Sequence, residues 1–342
     1  MRIGRPKRKH HITAFAVLVL TVVSVAAAIG VWSFWNTPAE DPGQDVLVII
    51  PSGSSFVAAS RMLVDAGVVR SLKPFVFLGK IKGLSSSIQA GELMFNTGMT
   101  PGQALEVLAK GKAVTYPVTI PEGYSIAMIA DLLAHYELGD AARFLELAKD
   151  PEFCRELGVP ADSLEGFLFP DTYFWPKGLS EEEILGRMVA KYQTVFTGEM
   201  KRRADEIGMS ELEVVTLASI IEKETGAPEE REQVSAVFHN RLKKGYRLQT
   251  DPTVIYGLLD FNGNLTKADL RTDHPYNTYT RSGLPVGPIA NPGEASLRAA
   301  LYPAQVDYLY FVSKGDGTHV FSNTLVEHNK AVAIHQLGRD PR

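Results

Sequence analysis

The chain has 342 residues, of which 45% are apolar and 22% charged, a composition that suits about two packed domains and excludes a mainly disordered protein. Its single cysteine, Cys154, excludes a disulfide framework and a cysteine-rich zinc site. The net charge is −4, but residues 1–39 carry five basic and no acidic residues, which leaves a charge of −9 on the remainder. Such an acidic body argues against nucleic acid as a partner.

The N-terminal segment predicts a membrane anchor. Residues 12–35 are 24 consecutive residues without a charge, enough for a helix of about 36 Å across a hydrocarbon core of about 30 Å. The basic tail, residues 1–11, precedes this run, so the positive-inside rule places the N-terminus in the cytoplasm and the body outside it. A cleaved signal peptide ending near Ala26-Ala27-Ala28 is the alternative, but its apolar region would be only about 7–15 residues long.

After a linker at residues 36–45, the sequence contains a near-repeat at a constant offset of 70 residues. Segments 48–63 and 118–133 both read as a strand, a Pro-x-Gly turn, a serine cap and an amphipathic helix. The matching pairs are Val48/Val118, Ile50/Ile120, Pro51/Pro121, Gly53/Gly123, Ser55/Ser125 and Leu63/Leu133. Because such a unit resembles half of a LysM-type carbohydrate-binding module, we interpret residues 46–155 as a LysM-like wall-binding region. Chance recurrence of a common strand–helix unit is the alternative.

The rest of the chain predicts mostly helices. A strand is expected over 92–95 and a helix from Thr100 to Gly111, while the aromatic stretch 163–178 is too irregular for a plain amphipathic helix. Capping boxes at Ser180/Glu183 and Ser210/Glu213 start two further helices. Helices are also expected over 228–244, 254–259 and 295–301, and a hairpin over 308–312 and 319–321. Asp251 and Asn291 each precede a proline and are predicted to cap helices, Asn291 with an alternative role facing a sugar.

The predicted fold class is therefore α+β. We expect a single transmembrane helix, a small LysM-like α/β region, and a mixed α/β catalytic domain rich in helices over residues 156–338, with the border near 155–165.

Glu222 is the candidate general acid. It ends an almost wholly apolar helix, with Ala218 and Ile221 at positions i−4 and i−1. Desolvation and the negative end of the helix dipole both favour a neutral carboxyl, which is the form a general acid needs. Glu224 lies about 200° further around the helix, so the two carboxylates cannot form a pair on one face. An ordinary solvated charge at a helix end is the alternative interpretation of Glu222.

Four motifs carry a resemblance to a known family. At LEGFLFPDTY (164–173), LASIIEKET (217–225), RLQTDPTVIYG (247–257) and GLPVGPI (283–289), the sequence resembles the YceG-like family of endolytic murein transglycosylases, over roughly residues 46–336. The resemblance implies cleavage of the MurNAc–GlcNAc β-1,4 bond within nascent peptidoglycan strands, without water, to leave 1,6-anhydro-MurNAc ends. It also implies that the single catalytic glutamate is the one in IIEKET, which is Glu222.

Anhydro formation needs one carboxyl in two successive roles, acid and then base, so a second carboxylate nucleophile is not required, unlike in two-carboxylate glycosidases. Other residues in or near the family's motifs are candidates for binding the substrate. They are Gln249, Thr250, Asp251, Tyr256, Asn291, Glu165 and Tyr173. Aromatic residues within 167–175 are either a platform for stacking sugars or part of the core, and the loop 282–293 is either a groove wall or a simple connection.

Three other functions remain as alternatives. A hydrolytic muramidase would pair the same acid with a second carboxylate such as Glu165 or Asp171, and a non-enzymatic scaffold would bind the wall and recruit peptidoglycan synthases. An older label of the family, aminodeoxychorismate lyase, requires pyridoxal phosphate and a cytosolic substrate, which fits an exported body poorly.

The expected setting follows from these interpretations. We expect a single-pass protein of the inner (cytoplasmic) membrane with a periplasmic or extracytoplasmic body, peptidoglycan glycan strands as substrate, and synthases as partners. No cofactor is expected, and no metal, because the eight histidines show no zincin spacing.

Overall fold

The computed structural model describes residues 7–84, 86–258 and 261–338, with side chains from residue 13 onward. Within these residues the protein mixes helices with short two-stranded sheets, which confirms the mixed helix and sheet class. The chain divides into two compact units. The first unit comprises residues up to Tyr116 together with Trp175–Leu179, and the second comprises Pro117–Phe174 together with the residues from Ser180 onward.

The first unit begins with one long apolar helix, α1, over Lys7–Asn36. Its stretch Thr13–Asn36 is long and apolar enough to cross a membrane, judged by length and composition, and its side chains as far as Ser33 are exposed. The predicted apolar helix over 12–35 is thus confirmed as a helix. The side chains of the predicted basic tail, residues 1–11, lie outside the described residues.

The remainder of the first unit places two helices between two antiparallel strands and ends with a third helix. The elements are β1 (Asp45–Ile50), α2 (Phe56–Asp65), α3 (Leu72–Ile81), β2 (Gly91–Asn96) and α4 (Pro101–Lys110). In the β1–β2 register Val48 lies opposite Leu93, and both side chains are buried with Phe56 and Phe75, whose rings stack 6.1 Å apart. The strand expected over 92–95 and the helix expected from Thr100 are both present.

The second unit is mainly helical. Its elements are β3 (Tyr116–Thr119), α5 (Ile126–His135), α6 (Ala141–Ala148), α7 (Pro151–Glu156), β4 (Thr172–Trp175), α8 (Glu181–Val195), α9 (Gly198–Glu206), α10 (Glu211–Glu224), α11 (Arg231–Lys243), α12 (Asp251–Gly257), α13 (Glu294–Leu301), β5 (Tyr310–Ser313), β6 (His319–Ser322) and α14 (Leu325–His335). β3 pairs with β4, and β5 forms an antiparallel hairpin with β6, as the sequence predicts.

Both copies of the near-repeat fold as expected, into a strand, a turn and a helix capped by serine. The hydroxyl of Ser55 accepts a hydrogen bond from the Ala58 amide, and that of Ser125 accepts one from the Met128 amide. The first copy lies in the first unit and the second copy in the second unit. The division between the units therefore runs through the segment 46–155, whose LysM-like role stays a prediction.

Helix α10 is the central element of the second unit. Both capping boxes predicted from the sequence are present, and the Ser210/Glu213 box begins α10. Every residue from Val214 to Ile221 is buried, and the helix packs against α9, α11, α12 and α13. A helix that is apolar on all sides is a core helix. Glu222 follows this buried stretch directly, in the C-terminal turn of the helix.

Two helix caps predicted from Asx–Pro pairs are wrong. Thr250 occupies the N-cap position of α12, and Asp251 is the first helical residue. Gly293 occupies the N-cap position of α13, two residues after Asn291. In both cases the Asx side chain bonds to a distant segment instead, as described below. Leu259, the predicted last residue of the helix over 254–259, lies outside the described residues.

Candidate active site

Glu222 sits in the last turn of α10 with only 7% of its side chain exposed. Its Oε2 accepts a hydrogen bond of 3.0 Å from the backbone N–H of Gly293. Because Gly293 is the N-cap residue of α13, this N–H belongs to the electropositive end of a helix, where a carboxylate is stabilised. Its Oε1 makes no hydrogen bond to the described part of the chain and remains able to exchange a proton.

A second carboxylate, Glu122, lies beside Glu222. It belongs to the Pro121-Glu122-Gly123 turn that follows β3, and its carboxyl group fills the space that a side chain on Gly293 would need. The Gly123 N–H donates to the Asn291 carbonyl at 2.9 Å, which ties this turn to the loop before α13. Burial raises the pKa of Glu122, the negative charge of Glu222 raises it further, and Arg231 opposes both effects.

Arg231 connects the two carboxylates. Its Nη2 lies 3.7 Å from Glu222 Oε1 and 3.8 Å from Glu122 Oε2. Both distances exceed hydrogen-bonding range, so the attraction is Coulombic. It is stronger for Glu222, which is 7% exposed, than for Glu122, which is 48% exposed and therefore screened by solvent. The buried Nε of Arg231 has no hydrogen-bond partner among the described residues. One cation, at the first residue of α11, therefore lies near both carboxylates.

Glu224 faces away from this group, as the helical spacing predicts. The hydroxyl of Thr250 donates to its carboxylate, and burial raises the pKa of Glu224, as does the nearby charge of Asp251. Glu224 lines a cavity of about 510 Å³ together with Gln249, Asp251 and Tyr279. Asp251 Oδ1 accepts a hydrogen bond of 2.6 Å from the Tyr279 hydroxyl, which explains why it is not a helix cap.

Gln249 has an unusual backbone conformation for this cavity wall. Its φ is +49°, in the left-handed region that residues other than glycine rarely adopt. Such strain is concentrated at functional sites, where the surrounding structure holds it in place. Arg241, Tyr310 and His319 line the same cavity, so its wall carries both charges and aromatic rings.

Glu165 is fully engaged inside the second unit. Only 4% of it is exposed, and it accepts hydrogen bonds from the Ile126 amide, the Tyr256 hydroxyl (2.9 Å) and Asn291 Nδ2 (3.2 Å). Burial raises its pKa to about 7, although the bonds from Tyr256 and Ile126 act in the opposite direction. Glu165 therefore joins α5, α12 and the loop before α13 from inside.

Asn291 joins the same network from the other side. Its Oδ1 accepts from the Leu168 amide at 2.9 Å, and its Nδ2 donates to the Tyr124 carbonyl at 2.9 Å. It is completely buried and does not cap α13, whose N-cap residue is Gly293. Its role is to hold the segment around Leu168 and the turn after Glu122 in place.

The remaining candidates lie apart from Glu222. Asp171 forms an ion pair of 2.7 Å with Lys191, which lowers the pKa of Asp171. The Tyr173 hydroxyl donates to the Phe169 carbonyl at 2.6 Å, and Phe167 and Phe169 are buried in the core. Of the aromatic residues in this stretch, Phe174 is largely exposed. The aromatic stretch thus contributes mostly to the core, the second of the two roles considered.

The structure therefore separates the predicted site residues into three groups. Glu222 stands alone among them; Gln249, Thr250 and Asp251 surround Glu224; and Glu165, Tyr256 and Asn291 form one network. Three residues around Glu222 were not among the site residues predicted from the sequence: Glu122, Arg231 and Gly293. One signal for Glu122 was available, since the matching position in the first repeat is Ser52, so the turns of the two copies differ by a charge.

Comparison with known proteins identifies the family. The sequence model of the YceG-like family matches residues 48–334, most of the chain. The chain belongs to the YceG-like family. A Bacillus subtilis (strain 168) protein named endolytic murein transglycosylase is 37% identical over 311 residues, which cover 85% of each chain.

Two further relatives of this YceG-like protein agree. A Streptococcus pneumoniae (strain R6) protein of the same name is 27% identical, and the match covers 95% of this chain and 66% of that protein. The crystal structure of a YceG-like protein from Listeria monocytogenes is 36% identical and covers 84% of this chain and 98% of that chain, with a TM-score of 0.58. The resemblance stated from the four motifs is thereby confirmed.

Proposed function

We propose that this YceG-like protein is a membrane-anchored endolytic peptidoglycan lytic transglycosylase in which Glu222 is the catalytic acid and then the base. The observation that carries the proposal is the placement of this motif glutamate. Glu222 is almost fully buried, has one stabilising N–H on Oε2, and keeps Oε1 without a hydrogen bond to the described residues. The two rival carboxylates, Glu165 and Asp171, are committed to internal bonds. The names of the Bacillus and Streptococcus relatives support the same activity.

In the first step, the protonated carboxyl of Glu222 gives its proton to the oxygen of the MurNAc–GlcNAc β-1,4 bond. The bond between that oxygen and C1 of MurNAc breaks, GlcNAc leaves with a new hydroxyl, and positive charge develops on the MurNAc ring. In the second step, the carboxylate takes the proton of the MurNAc C6 hydroxyl while its oxygen bonds to C1. The product is a 1,6-anhydro ring, no water is consumed, and Glu222 is protonated again.

The neighbours of Glu222 serve the charge that appears between these steps. The Gly293 N–H and the Arg231 guanidinium both favour the carboxylate that forms when the proton has left. That negative charge also opposes the positive charge developing on the sugar ring. Because both groups are fixed by helix ends, they need little reorganisation during the reaction.

For the substrate, we propose that Gln249 and Asp251 bind sugar or peptide groups in the Glu224 cavity. Carboxylates, an amide and the tyrosine ring of Tyr279 are suited to hydroxyl groups and sugar faces. Thr250, Tyr256, Asn291 and Glu165, by contrast, bond to protein groups, so we assign them the role of holding the loops in place. We propose no hydrogen bond from Tyr173 to the substrate, since its hydroxyl donates to the Phe169 carbonyl; it is a residue of the family's motif.

Glu122 favours a second candidate, a hydrolytic muramidase. Its Oε2 and Glu222 Oε1 both lie close to one nitrogen of Arg231, which limits them to about 7.5 Å apart. This upper limit allows both the spacing of about 5–5.5 Å found in retaining glycosidases and the lower part of the range of about 6.5–9.5 Å found in inverting ones. A muramidase of this protein would therefore use Glu122, and not Glu165 or Asp171, as the second carboxylate.

We also propose the setting expected from the sequence. Residues 12–35 would anchor the protein in the inner membrane, with the N-terminus in the cytoplasm and both units outside it. Residues 46–155 would bind the wall as a LysM-like region, and peptidoglycan synthases would be partners. A protease added to the outside of spheroplasts should remove the body and leave the N-terminal segment, whereas the reverse pattern would exclude this orientation.

The activity is tested by digesting uncrosslinked peptidoglycan strands with the full chain in detergent and weighing the products by mass spectrometry. A transglycosylase gives ends that are one water lighter than hydrolytic ends. Hydrated ends would establish the muramidase, and binding without soluble products would support the non-enzymatic scaffold.

A matched pair of variants then tests the assignment of the acid. Glu222→Gln should retain the fold and lose cleavage. Glu224→Gln makes the same chemical change two residues away, in the wall of the proposed binding cavity. It should weaken substrate binding but still produce anhydro ends, whereas Glu222→Gln should produce none. Full activity of Glu222→Gln would overturn the assignment.

A further inference from the structure

Glu122, Arg231 and Glu222 form a group that the four family motifs do not contain as a whole. Glu122 comes from the turn after β3, Glu222 from the end of α10 and Arg231 from the start of α11. A single nitrogen of Arg231 lies within 3.8 Å of a carboxylate oxygen from each acid. Two acids and one base leave this group with one excess negative charge when both acids are ionised.

We propose that Glu122 is a positioning residue for the catalytic acid, and that Glu122 and Glu222 hold one proton between them against their common counter-ion, Arg231. The proposal rests on the proposed function of Glu222. It assigns Glu122 no contact with the substrate: its charge acts on Glu222 through space and through the position of Arg231. The form of the enzyme that starts the reaction is the one in which the pair carries a single proton.

The geometry supports sharing because each acid lacks something that the other has. Glu222 has the Gly293 N–H and the shorter distance to Arg231, and both favour its ionised form. Glu122 makes no hydrogen bond to the described residues, and burial and the charge of Glu222 raise the pKa of Glu122. Arg231 lies near both carboxyl groups, so the position of this one cation links them.

Other charged groups on the elements around Glu222 have contacts of their own. Glu230 pairs with His319 at 2.7 Å, and Glu294 of α13 pairs with Arg298 at 2.8 Å. On α10 itself, Lys223 donates to the Gly123 carbonyl at 3.3 Å, and Glu224 points to the cavity with Asp251. Besides Glu122 and Arg231, Lys223 therefore also acts on Glu222, because its bond to a neutral carbonyl leaves its positive charge uncompensated.

The pH dependence of the cleavage rate tests the proposal, because loss of the shared proton sets the fall in rate at high pH. Replacing Glu122 with glutamine removes the negative charge that helps to hold the proton. The high-pH limb of Glu122→Gln should move to lower pH by less than about one unit, because solvent screens the half-exposed Glu122. Replacing Arg231 with glutamine removes the cation that opposes protonation, so the limb of Arg231→Gln should move to higher pH by a similar amount.

Two controls separate this effect from general damage. Arg231→Lys keeps the charge and should restore the limb close to its wild-type position. Glu232→Gln removes an exposed negative charge one residue from Arg231 and should leave the limb unchanged. A drop in rate at every pH with unmoved limbs in both Glu122→Gln and Arg231→Gln would mean a purely structural role and would overturn the proposal.

A titration that needs no turnover distinguishes failure of this inference from failure of the proposed function. In the full chain labelled with ¹³C at glutamate carboxyls, the resonances of Glu122 and Glu222 are assigned from Glu122→Gln and Glu222→Gln. Coupling predicts that the Glu122 midpoint falls when Glu222 becomes glutamine. An unchanged midpoint refutes the shared proton even if the enzyme is active, whereas a shifted midpoint in a protein without lytic activity refutes only the function.

Discussion

Glu222 and Glu224 lie in the same last turn of α10, but their side chains bind to different loops. The first accepts a hydrogen bond from the Gly293 amide at 3.0 Å, and the second accepts one from the Thr250 hydroxyl. Since the two side chains are about 200° apart around the helix, one glutamate serves the arginine-bridged acid pair and the other serves the cavity behind it. The two glutamates of the IIEKET motif, two positions apart, therefore lie in different surroundings.

Replacing Glu224 with glutamine should change how stability depends on pH. Burial raises the pKa of Glu224 in the folded protein, so ionisation costs more there than in the unfolded chain. That cost appears as the pH rises above the unfolded value and grows until the folded group ionises. Denaturation from pH 4 to 8 should therefore show wild type losing stability relative to Glu224→Gln. A constant difference across this range would show that Glu224 is not penalised by burial.

Glu165 should give a larger effect of the same sign. Its pKa is raised to about 7 from a usual 4.5, so ionised Glu165 destabilises the fold by about 3 kcal/mol once the pH passes 7, and this penalty is absent below pH 4. Glu165→Gln removes the pH-dependent part and keeps an acceptor oxygen. The difference in unfolding free energy between wild type and variant, measured by denaturant titration, should shift by about 3 kcal/mol over this range. Parallel curves would contradict the assignment.

Gly293→Ala should lower the cleavage activity, most strongly at high pH as in Glu122→Gln, without unfolding the protein. A Cβ at this position would collide with the carboxyl group of Glu122, which must then leave its place beside Arg231. Gly186→Ala is the matched control, since its Cβ would meet Leu157 at an ordinary 3.8 Å within α8. The control should be as active as wild type and up to about 1 kcal/mol more stable. Equal activity of the two variants would show that the approach of Glu122 to Gly293 is unimportant.

Asn291→Ala should destabilise the second unit by more than the loss of a helix cap. It leaves the buried Leu168 amide without a partner, at a cost of about 1–3 kcal/mol, and it removes the bonds that Asn291 Nδ2 donates to the Tyr124 carbonyl and to Glu165. Ser210→Ala removes a true cap of α10 and should cost about 1 kcal/mol. Denaturant midpoints of the two variants decide the matter, and a smaller loss for Asn291→Ala would restore its interpretation as a cap.

The sequence was most informative where structure is decided locally. The Ser180/Glu183 and Ser210/Glu213 boxes need only residues three apart, and both form as predicted. The separation of Glu222 from Glu224 follows from helical geometry alone. These features required no knowledge of the partners that the rest of the chain would bring.

Long-range partners account for what the sequence did not reveal. Asp251 and Asn291 have the local sequence pattern of helix caps. The Asp251 side chain instead accepts a hydrogen bond from Tyr279, and the buried Asn291 side chain accepts one from the Leu168 amide. Glu122 lies 100 residues before Glu222, and no periodicity or spacing joins them. The acid pair could be recognised only after folding had brought the β3 turn to the end of α10.

The pairing of Gly123 and Tyr124 with Asn291 has a consequence for when the site around Glu222 can form. The Gly123 amide bonds to the Asn291 carbonyl and the Asn291 amide to the Tyr124 carbonyl, closing a loop of more than 160 residues. The Gly293 amide, which lies beyond α12, cannot reach Glu222 until the chain has been made as far as α13. With the proposed function and orientation, we therefore expect cleavage only from chains whose translation and export are almost complete.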